Sequence, residues 1–284
     1  MSDLIDDFYS ARNLLYLGAY PQALAALSTL PPTNETELKS LQYRAHLSLG
    51  NRAQVLREIP PTTSNATLQA LRSLALQDAT QLEDLLTADN LQSPTFTVIA
   101  AHTLLAAGQK DEALRLLDMH PRNLECTTLT VAIYLGMDRL DLAQKLVARV
   151  RGWAEDAPVA QLAEAWTALV EGGQRYNEAY YVFMELAQAS AVDTARLYCA
   201  LAVSKMHLGQ YDEATSHLQS ALEADPNDPD TLANLVVCNS LTQSSEARAR
   251  YLEQLAQVAP NHPFLRDLQQ ADARFDDALA AMSK

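Results

Sequence analysis

Glycine and cysteine are both scarce in this chain. It has 8 glycines and 3 cysteines among 284 residues, whereas alanine and leucine are plentiful. Glycine costs about 1 kcal/mol in a helix interior, and alanine and leucine have high helix propensity, so this balance favours helices. No segment shows a strand pattern of useful length. The sequence therefore predicts an all-α fold.

The three cysteines are odd in number and widely spaced, at Cys126, Cys199 and Cys238. Each lies in an apolar helical stretch, so we expect buried free thiols in a reducing compartment. None of the six histidines pairs with a cysteine or another histidine at the spacing of metal ligands. We therefore expect no bound metal.

Positive charge is also in short supply. Lysine and arginine number 21 against 35 acidic residues, which gives a net charge of −14. Such a surface repels phosphates, so we expect no direct binding to nucleic acid or to an anionic membrane. The acidic first ten residues have neither the basic nor the apolar region of a signal or transit peptide. Residues 90–109 are uncharged but contain Pro94 and several polar side chains, which predicts a loop and a buried helix rather than a membrane span.

Motifs for chemistry are absent as well. The chain has no glycine-rich nucleotide loop and no nucleophile elbow, and its Gly172-Gly173 pair is better explained as a turn. Its carboxylates are spread over helix faces beside alanine and glutamine, which is typical of solvated surfaces. We expect no catalytic residue, no cofactor and no small-molecule substrate.

One short phrase recurs along the chain. The sequence ADPNDP at residues 224–229 is echoed 34 residues later by VAPNHP at residues 258–263, which aligns Pro226 with Pro260. This period is typical of tetratricopeptide repeats, in which antiparallel helix pairs stack into a solenoid. The sequence therefore predicts a right-handed superhelix of such pairs, closed by a capping helix.

Small residues mark the second helix of several pairs. A bulky side chain where two helices cross would overpack the crossing. A glycine just past the first helix can take the left-handed conformation that releases the chain into the turn, and an aromatic side chain two residues on can cover the joint. The anchors are Ala23, Ala113, Ala143, Ala179 and Ala214, and the turn residues are Gly18 with Tyr20, Gly108, and Gly209 with Tyr211.

These signals predict one solenoid domain over residues 1–284. Its approximate repeats are 3–31, 35–60, 64–90, 94–121, 124–152, 158–191, 194–226 and 229–260. Those starting at 35 and 64 lack the small anchor and its turn. Residues 262–282 are predicted to cap the last core with a stripe of Phe264, Leu268, Ala271, Phe275 and Leu279.

The first helix of each repeat is expected to line an inner groove. If Ala11 and Tyr43 lie where their pairs cross, Arg12 and Arg44 face this groove. Such arginines could bind an acidic or backbone-rich segment of a partner. The alternative is that each pairs with a carboxylate on an adjacent helix. The candidate partner-binding residues are Phe8, Arg12, Leu15, Tyr16 and Arg44.

Several stretches together resemble the epsilon subunits of coatomer, the heteromeric coat of vesicles that bud from the Golgi. Leu124-Glu125-Cys126-Thr127 followed by residues 138–143 is the most specific of them. Generic tetratricopeptide arrays share the glycines and alanines but not these phrases. The others are residues 12–13 with 16–20, 43–45, 161–166, 172–173, 179–183, 231–237 and 250–252.

The resemblance implies a non-enzymatic cytoplasmic subunit that associates with Golgi membranes through its partners. It implies that the groove holds the carboxy-terminal domain of the coatomer alpha subunit. The alternative is a soluble adaptor that reads short peptides of another complex. Adaptors of this kind clamp a carboxylate with lysines and asparagines, and inner positions such as Arg196, Cys199 and Val203 do not show that pattern.

Overall fold

The computed structural model describes residues 8–31, 34–190 and 192–282. Residues 3–7 of the first predicted repeat and residue 191 of the sixth lie outside these ranges. Sixteen α-helices and two short 3₁₀ helices make up the regular structure of the described residues, with no strand among them. The predicted all-α, tetratricopeptide-type fold is confirmed.

The chain divides into two compact units, and we describe each by itself. Unit 1 ends at Val182 and unit 2 begins at Phe183, so the boundary falls inside α11 (Arg175–Ser190). Continuity of a single solenoid across this boundary stays a prediction. The helices of unit 1 before α11 are α1 (Tyr9–Tyr16), α2 (Tyr20–Ser28), α3 (Glu35–Ser48), α4 (Arg52–Glu58), α5 (Ala66–Leu76), α6 (Pro94–Ala106), α7 (Lys110–Leu117), α8 (Leu124–Leu135), α9 (Leu140–Ala154) and α10 (Pro158–Glu171). Those of unit 2 are α12 (Ala195–His207), α13 (Tyr211–Ala224), α14 (Pro229–Leu241), α15 (Ser245–Val258) and α16 (Pro263–Met282).

The two helices of a repeat begin in different ways. Six first helices start after a polar side chain that accepts a hydrogen bond from a backbone N–H of the first turn, as Asn123 does for α8, whereas α1 and α10 have no such cap. The second helix follows a tight turn without such a cap, as α13 does after Gln210. The other first helices capped in this way follow Asn34, Asn65, Ser93, Thr194 and Asp228.

The turns within the pairs have the left-handed geometry that the glycines indicate. The φ angles are +86° at Gly18, +80° at Gly108 and +72° at Gly209, a region that glycine enters without steric cost. Asp138, with φ of +57°, holds the same conformation before α9. Tyr20 and Tyr211 are partly buried against the neighbouring core.

Each alanine anchor is fully buried. The side chains of Ala23, Ala113, Ala143, Ala179 and Ala214 all have 0% exposure. A helix pair can approach closely only where such a small residue sits at the crossing, because protein interiors are packed without spare volume.

The repeat predicted for residues 64–90 departs from a helix pair, so the expectation of a second α-helix there is wrong. A 3₁₀ helix, Thr80–Leu85, follows α5 in its place, and a second one spans Asn90–Gln92. Asp78 starts this segment by accepting hydrogen bonds from the backbone N–H and the hydroxyl of Thr80. Leu82 still reaches the core and is fully buried. Without a small anchor, the segment contributes one buried leucine instead of a helix face.

The predicted loop and buried helix at residues 90–109 are confirmed. Most of α6 is buried, including Phe96, Ile99 and Leu104, and it packs between α5, α7 and α8. Within the ranges that the structure describes, no helix has both the length and the apolar character needed to cross a bilayer.

The terminal helix caps the last core only with its first turns. Leu265 is buried and Phe264 is partly buried against the core of unit 2. Of the predicted stripe, Leu268 is half-buried, whereas Ala271, Phe275 and Leu279 are exposed, so the prediction is wrong for the second half of the stripe. The reason is length, since α16 has 20 residues and the helices of unit 2 that form this core have 13 or 14.

We expect Ala214→Leu to destabilise unit 2 by about 1–3 kcal/mol, because added methyl groups overpack the crossing of α12 and α13. The matched control is Ala249→Leu on the exposed face of α15. Urea unfolding followed by circular dichroism measures both changes. Equal unfolding midpoints for the two variants would show that the crossing tolerates a large residue.

Candidate functional site

The first helices of the repeats converge within unit 1. Besides α2 and α3, α1 contacts α10, which is the first helix of the sixth repeat. Repeats of an open solenoid contact only their neighbours along the chain. The helix row of unit 1 therefore curves enough to bring its two ends into contact.

Polar side chains from four of these first helices meet on their inner side. We call this set the polar cluster. Its members are Arg12 and Tyr16 of α1, Glu37 and Arg44 of α3, Thr95 and His102 of α6, and Glu125 of α8.

Two of the five predicted partner-binding residues are buried against the core, although the Phe8 ring also contacts the Arg12 guanidinium. Phe8 is 6% exposed and packs with Ala11, Leu27 and Leu41, while Leu15 is 7% exposed. That these two residues bind a partner stays a prediction, since in this structure both side chains pack against the core. Phe8, Ala11 and Leu15 follow the i, i+3, i+7 spacing of one helix face, and that face is turned to the core.

Arg12 joins three helices through one carboxylate. Its guanidinium lies 2.8 Å from an oxygen of Glu37, and the other Glu37 oxygen accepts a hydrogen bond of 2.7 Å from the Thr95 hydroxyl. The same guanidinium lies over the Phe8 ring, 5.8 Å from its centroid. The Arg12 side chain keeps 28% exposure, so part of it can reach a partner.

Arg44 and Glu125 form an ion pair between repeats 2 and 5, across 81 residues of sequence. Their side chains are only 10% and 19% exposed. The Tyr16 hydroxyl also hydrogen-bonds the Glu125 carboxylate, and His102 lies near enough to act on its charge. One carboxylate thus links α1, α3, α6 and α8.

Burial and hydrogen bonding in the polar cluster set the protonation states of Glu125 and Tyr16. Burial raises the pKa of Glu125, but the Arg44 guanidinium and the hydrogen bond from Tyr16 outweigh this effect and leave the pKa lowered. Burial, with the Glu125 carboxylate second, strongly raises the pKa of Tyr16. The pair is therefore ionised and the phenol neutral near pH 7. This arrangement can bind charged or hydrogen-bonding groups.

Both arginines pair with carboxylates, but only Arg12 does so in the adjacent repeat, through Glu37, whereas Arg44 pairs with Glu125 three repeats further along the chain. Sequence reasoning did not identify Glu37 and Glu125 as the partners. Glu37 lies in the first turn of α3, and Glu125 lies in the first turn of α8 beside the buried Cys126. Their position in the first turn of a helix was the only sequence feature that could have identified them. Many exposed glutamates occupy the same position, so this feature is not specific.

The cysteines are buried free thiols, as predicted. Burial, with a nearby carboxylate second, raises the pKa of Cys126 to about 12, and burial likewise raises that of Cys199 to about 12. Both stay protonated near neutral pH and are poor nucleophiles. No cluster of three or more potential metal ligands occurs in the described part of the chain.

A protein-family model described as "Coatomer epsilon subunit" matches residues 4–283. The chain belongs to the coatomer epsilon subunit family. Coatomer subunit epsilon-1 of Oryza sativa subsp. japonica is 32% identical over 294 residues, covering 98% of this chain and 99% of the rice protein. Coatomer subunit epsilon of Caenorhabditis elegans is 28% identical over 286 residues, covering 96% of this chain and 97% of the C. elegans protein. Members of this family are components of a hetero-oligomeric coat, and both family and fold are typical of non-catalytic scaffolds.

Solved structures with a similar fold are tetratricopeptide proteins and assemblies. A tetratricopeptide repeat protein from Parabacteroides merdae ATCC 43184 superposes with a TM-score of 0.59 at 13% identity, over 92% of this chain and 94% of its own. A chain of the Cut9–Hcn1 hetero-tetramer of APC/C gives a TM-score of 0.61 at 14% identity, over 90% of this chain and 53% of its own. At these identities the likeness shows the fold alone.

We expect Glu125→Gln to destabilise unit 1 by about 3–5 kcal/mol, because it leaves the buried Arg44 guanidinium without its counter-charge. Chemical denaturation measures the loss. The control is Glu112→Gln, which breaks a pair whose side chains are 75% and 49% exposed and should cost less than about 1 kcal/mol. Replacing Arg44 and Glu125 together by Met and Leu should recover much of the loss. A double variant as unstable as Glu125→Gln would mean that the pair is not the cause.

The stability of unit 1 should fall in acid through Glu125. Its folded-state pKa lies below the ordinary 4.5, so the contribution is fully present above that value and is lost as pH falls through the lowered folded-state pKa. Melting temperatures at about pH 7 and about pH 3.5 should differ more for the parent than for Glu125→Gln. Parallel pH profiles would assign the acid sensitivity to other carboxylates.

Proposed function

We propose that this chain is a non-catalytic structural subunit of the coatomer vesicle coat, which binds the carboxy-terminal domain of the coatomer alpha subunit and supports transport between the endoplasmic reticulum and the Golgi. The observation that carries the proposal is the family match over nearly the whole chain. The helical repeat fold supports it, because such arrays offer extended surfaces to protein partners. In this proposal the chain acts in the cytoplasm and reaches Golgi membranes through its partners.

The partner contact is proposed at the polar cluster, through Arg12, Tyr16 and Arg44. Arg12 and Tyr16 keep partial exposure, while Arg44 is engaged with Glu125. A partner carboxylate or carbonyl can take one side of the Arg12 guanidinium without breaking its pair with Glu37, because arginine has five donors. Phe8 and Leu15 take part indirectly, by holding α1 against the core.

Replacing Arg12 and Arg44 by alanine together should weaken binding to the alpha-subunit domain by about 2 kcal/mol or more, as truncation of an anchor does. Titration calorimetry with the purified domain measures this affinity. Circular dichroism must first show unchanged helicity.

The matched control removes two exposed arginines that also pair with carboxylates, in Arg115→Ala with Arg139→Ala. This variant should bind the domain as the parent does. If Arg12 and Arg44 only join helices, their double variant keeps parental affinity and its substitutions act on stability alone. No binding of the parent chain to the alpha-subunit domain would refute the proposed partner.

A further inference from the structure

The second half of α16 is exposed on every side. Each residue from Gln269 to Met282 is exposed, so about 14 residues of helix extend beyond the core of unit 2. Isolated helices of this length are only marginally stable in water. Packing against another surface would stabilise this segment.

One face of the exposed segment is apolar. We call Ala271, Phe275, Ala278, Leu279 and Met282 the terminal stripe, since they recur at three- and four-residue intervals. Phe275 is 68% exposed and Met282 is 86% exposed. The face is continuous with Phe264, which packs against the core at the start of the same helix, and with the half-buried Leu268. The stripe therefore extends a packing face of unit 2 beyond the helices that cover its first part.

Charge defines what can cover the terminal stripe. Asp272 and Asp276 lie one turn apart along one border of it, and both are exposed. Two copies of α16 packed antiparallel about a two-fold axis would bring these acidic borders together, on chains that each carry −14. A helix with lysine or arginine beside its apolar face would instead pair with them.

The small size of the terminal stripe also disfavours a second copy of this chain as its binding partner. The stripe from Ala271 to Met282 is about 18 Å long at 1.5 Å per residue. It offers five residues, whereas a stable interface uses about 20–30 residues on each side. Two chains joined through α16 alone fall short of this size. A partner that is also held elsewhere on the chain needs only a small additional contact.

We propose that the terminal stripe docks an amphipathic helix of another coat subunit, one that carries basic residues along the border of its apolar face. The proposal rests on the proposed function, because a subunit held in the coat is the partner that can use so small a surface. The contact adds a second attachment point, in unit 2, to the polar cluster of unit 1.

The test uses coatomer purified without its epsilon subunit as the binding partner. Phe275→Gln with Met282→Gln removes the two anchors and keeps a residue of good helix propensity. The matched control is Ala273→Gln with Ala280→Gln, on the opposite and equally exposed face of α16. We expect the first variant to bind the complex at least about tenfold more weakly and the control to bind as the parent does. Asp272→Asn with Asp276→Asn should weaken binding and reduce its dependence on salt.

The remaining outcomes distinguish failure of the docking proposal from failure of the proposed function. If the parent binds and the Phe275/Met282 variant binds equally well, the docking proposal is wrong while the proposed function stands. If the parent does not bind the complex at all, the proposed function itself fails. Sedimentation of the free chain adds a third outcome, since a dimer lost in this variant would make a second copy the occupant. Amides of residues 270–282 should become protected from hydrogen exchange in the complex, and unchanged exchange there would overturn the docking site.

Discussion

The close crossing of two helices at a buried alanine is the constraint on which both units depend. Where Ala23 or Ala214 sits, the paired helix packs directly on the backbone, and the side chains around it fill the space on either side. A larger residue separates the pair, and the separation passes to the next repeat because the repeats share their cores. The glycine turns serve the same constraint, since Gly18 and Gly209 reverse the chain within a few residues and bring the second helix back at short distance.

Unit 1 adds an interaction that an open solenoid lacks. Arg44 and Glu125 connect repeats that are not neighbours, and Tyr16 brings α1 to the same carboxylate. A buried ion pair adds little net stability, but it penalises every arrangement in which one charge loses its partner. The pair therefore selects one curvature of the helix row among the many that apolar packing alone would allow.

The repeat architecture could be predicted because its signals are local. The alanine anchors, the glycine turns and the proline echo each act within one helix pair, so the spacing along the chain was sufficient. The burial of Phe8 and Leu15 could also have been predicted, because their spacing with Ala11 places them on one face of α1. Arg12 lies on a different face, and the two faces were not distinguished from the sequence. The partners of the arginines could not be predicted, because Glu125 reaches Arg44 only through the accumulated turn of three repeats. The exposure of the second half of α16 could not be predicted for a similar reason. The apolar pattern at Phe275 does not show where the neighbouring helices end.

The ion pair between repeats 2 and 5 also limits how the number of repeats in this chain can change. In an ordinary solenoid a repeat can be duplicated or deleted, because each new interface resembles the old one. Here an extra pair of helices between α3 and α8 would rotate Glu125 away from Arg44 and leave both charges buried without a counter-ion. As long as the pair is kept, electrostatics fixes the number of repeats between these two helices, and changes in unit 1 are confined to substitutions and to loop length.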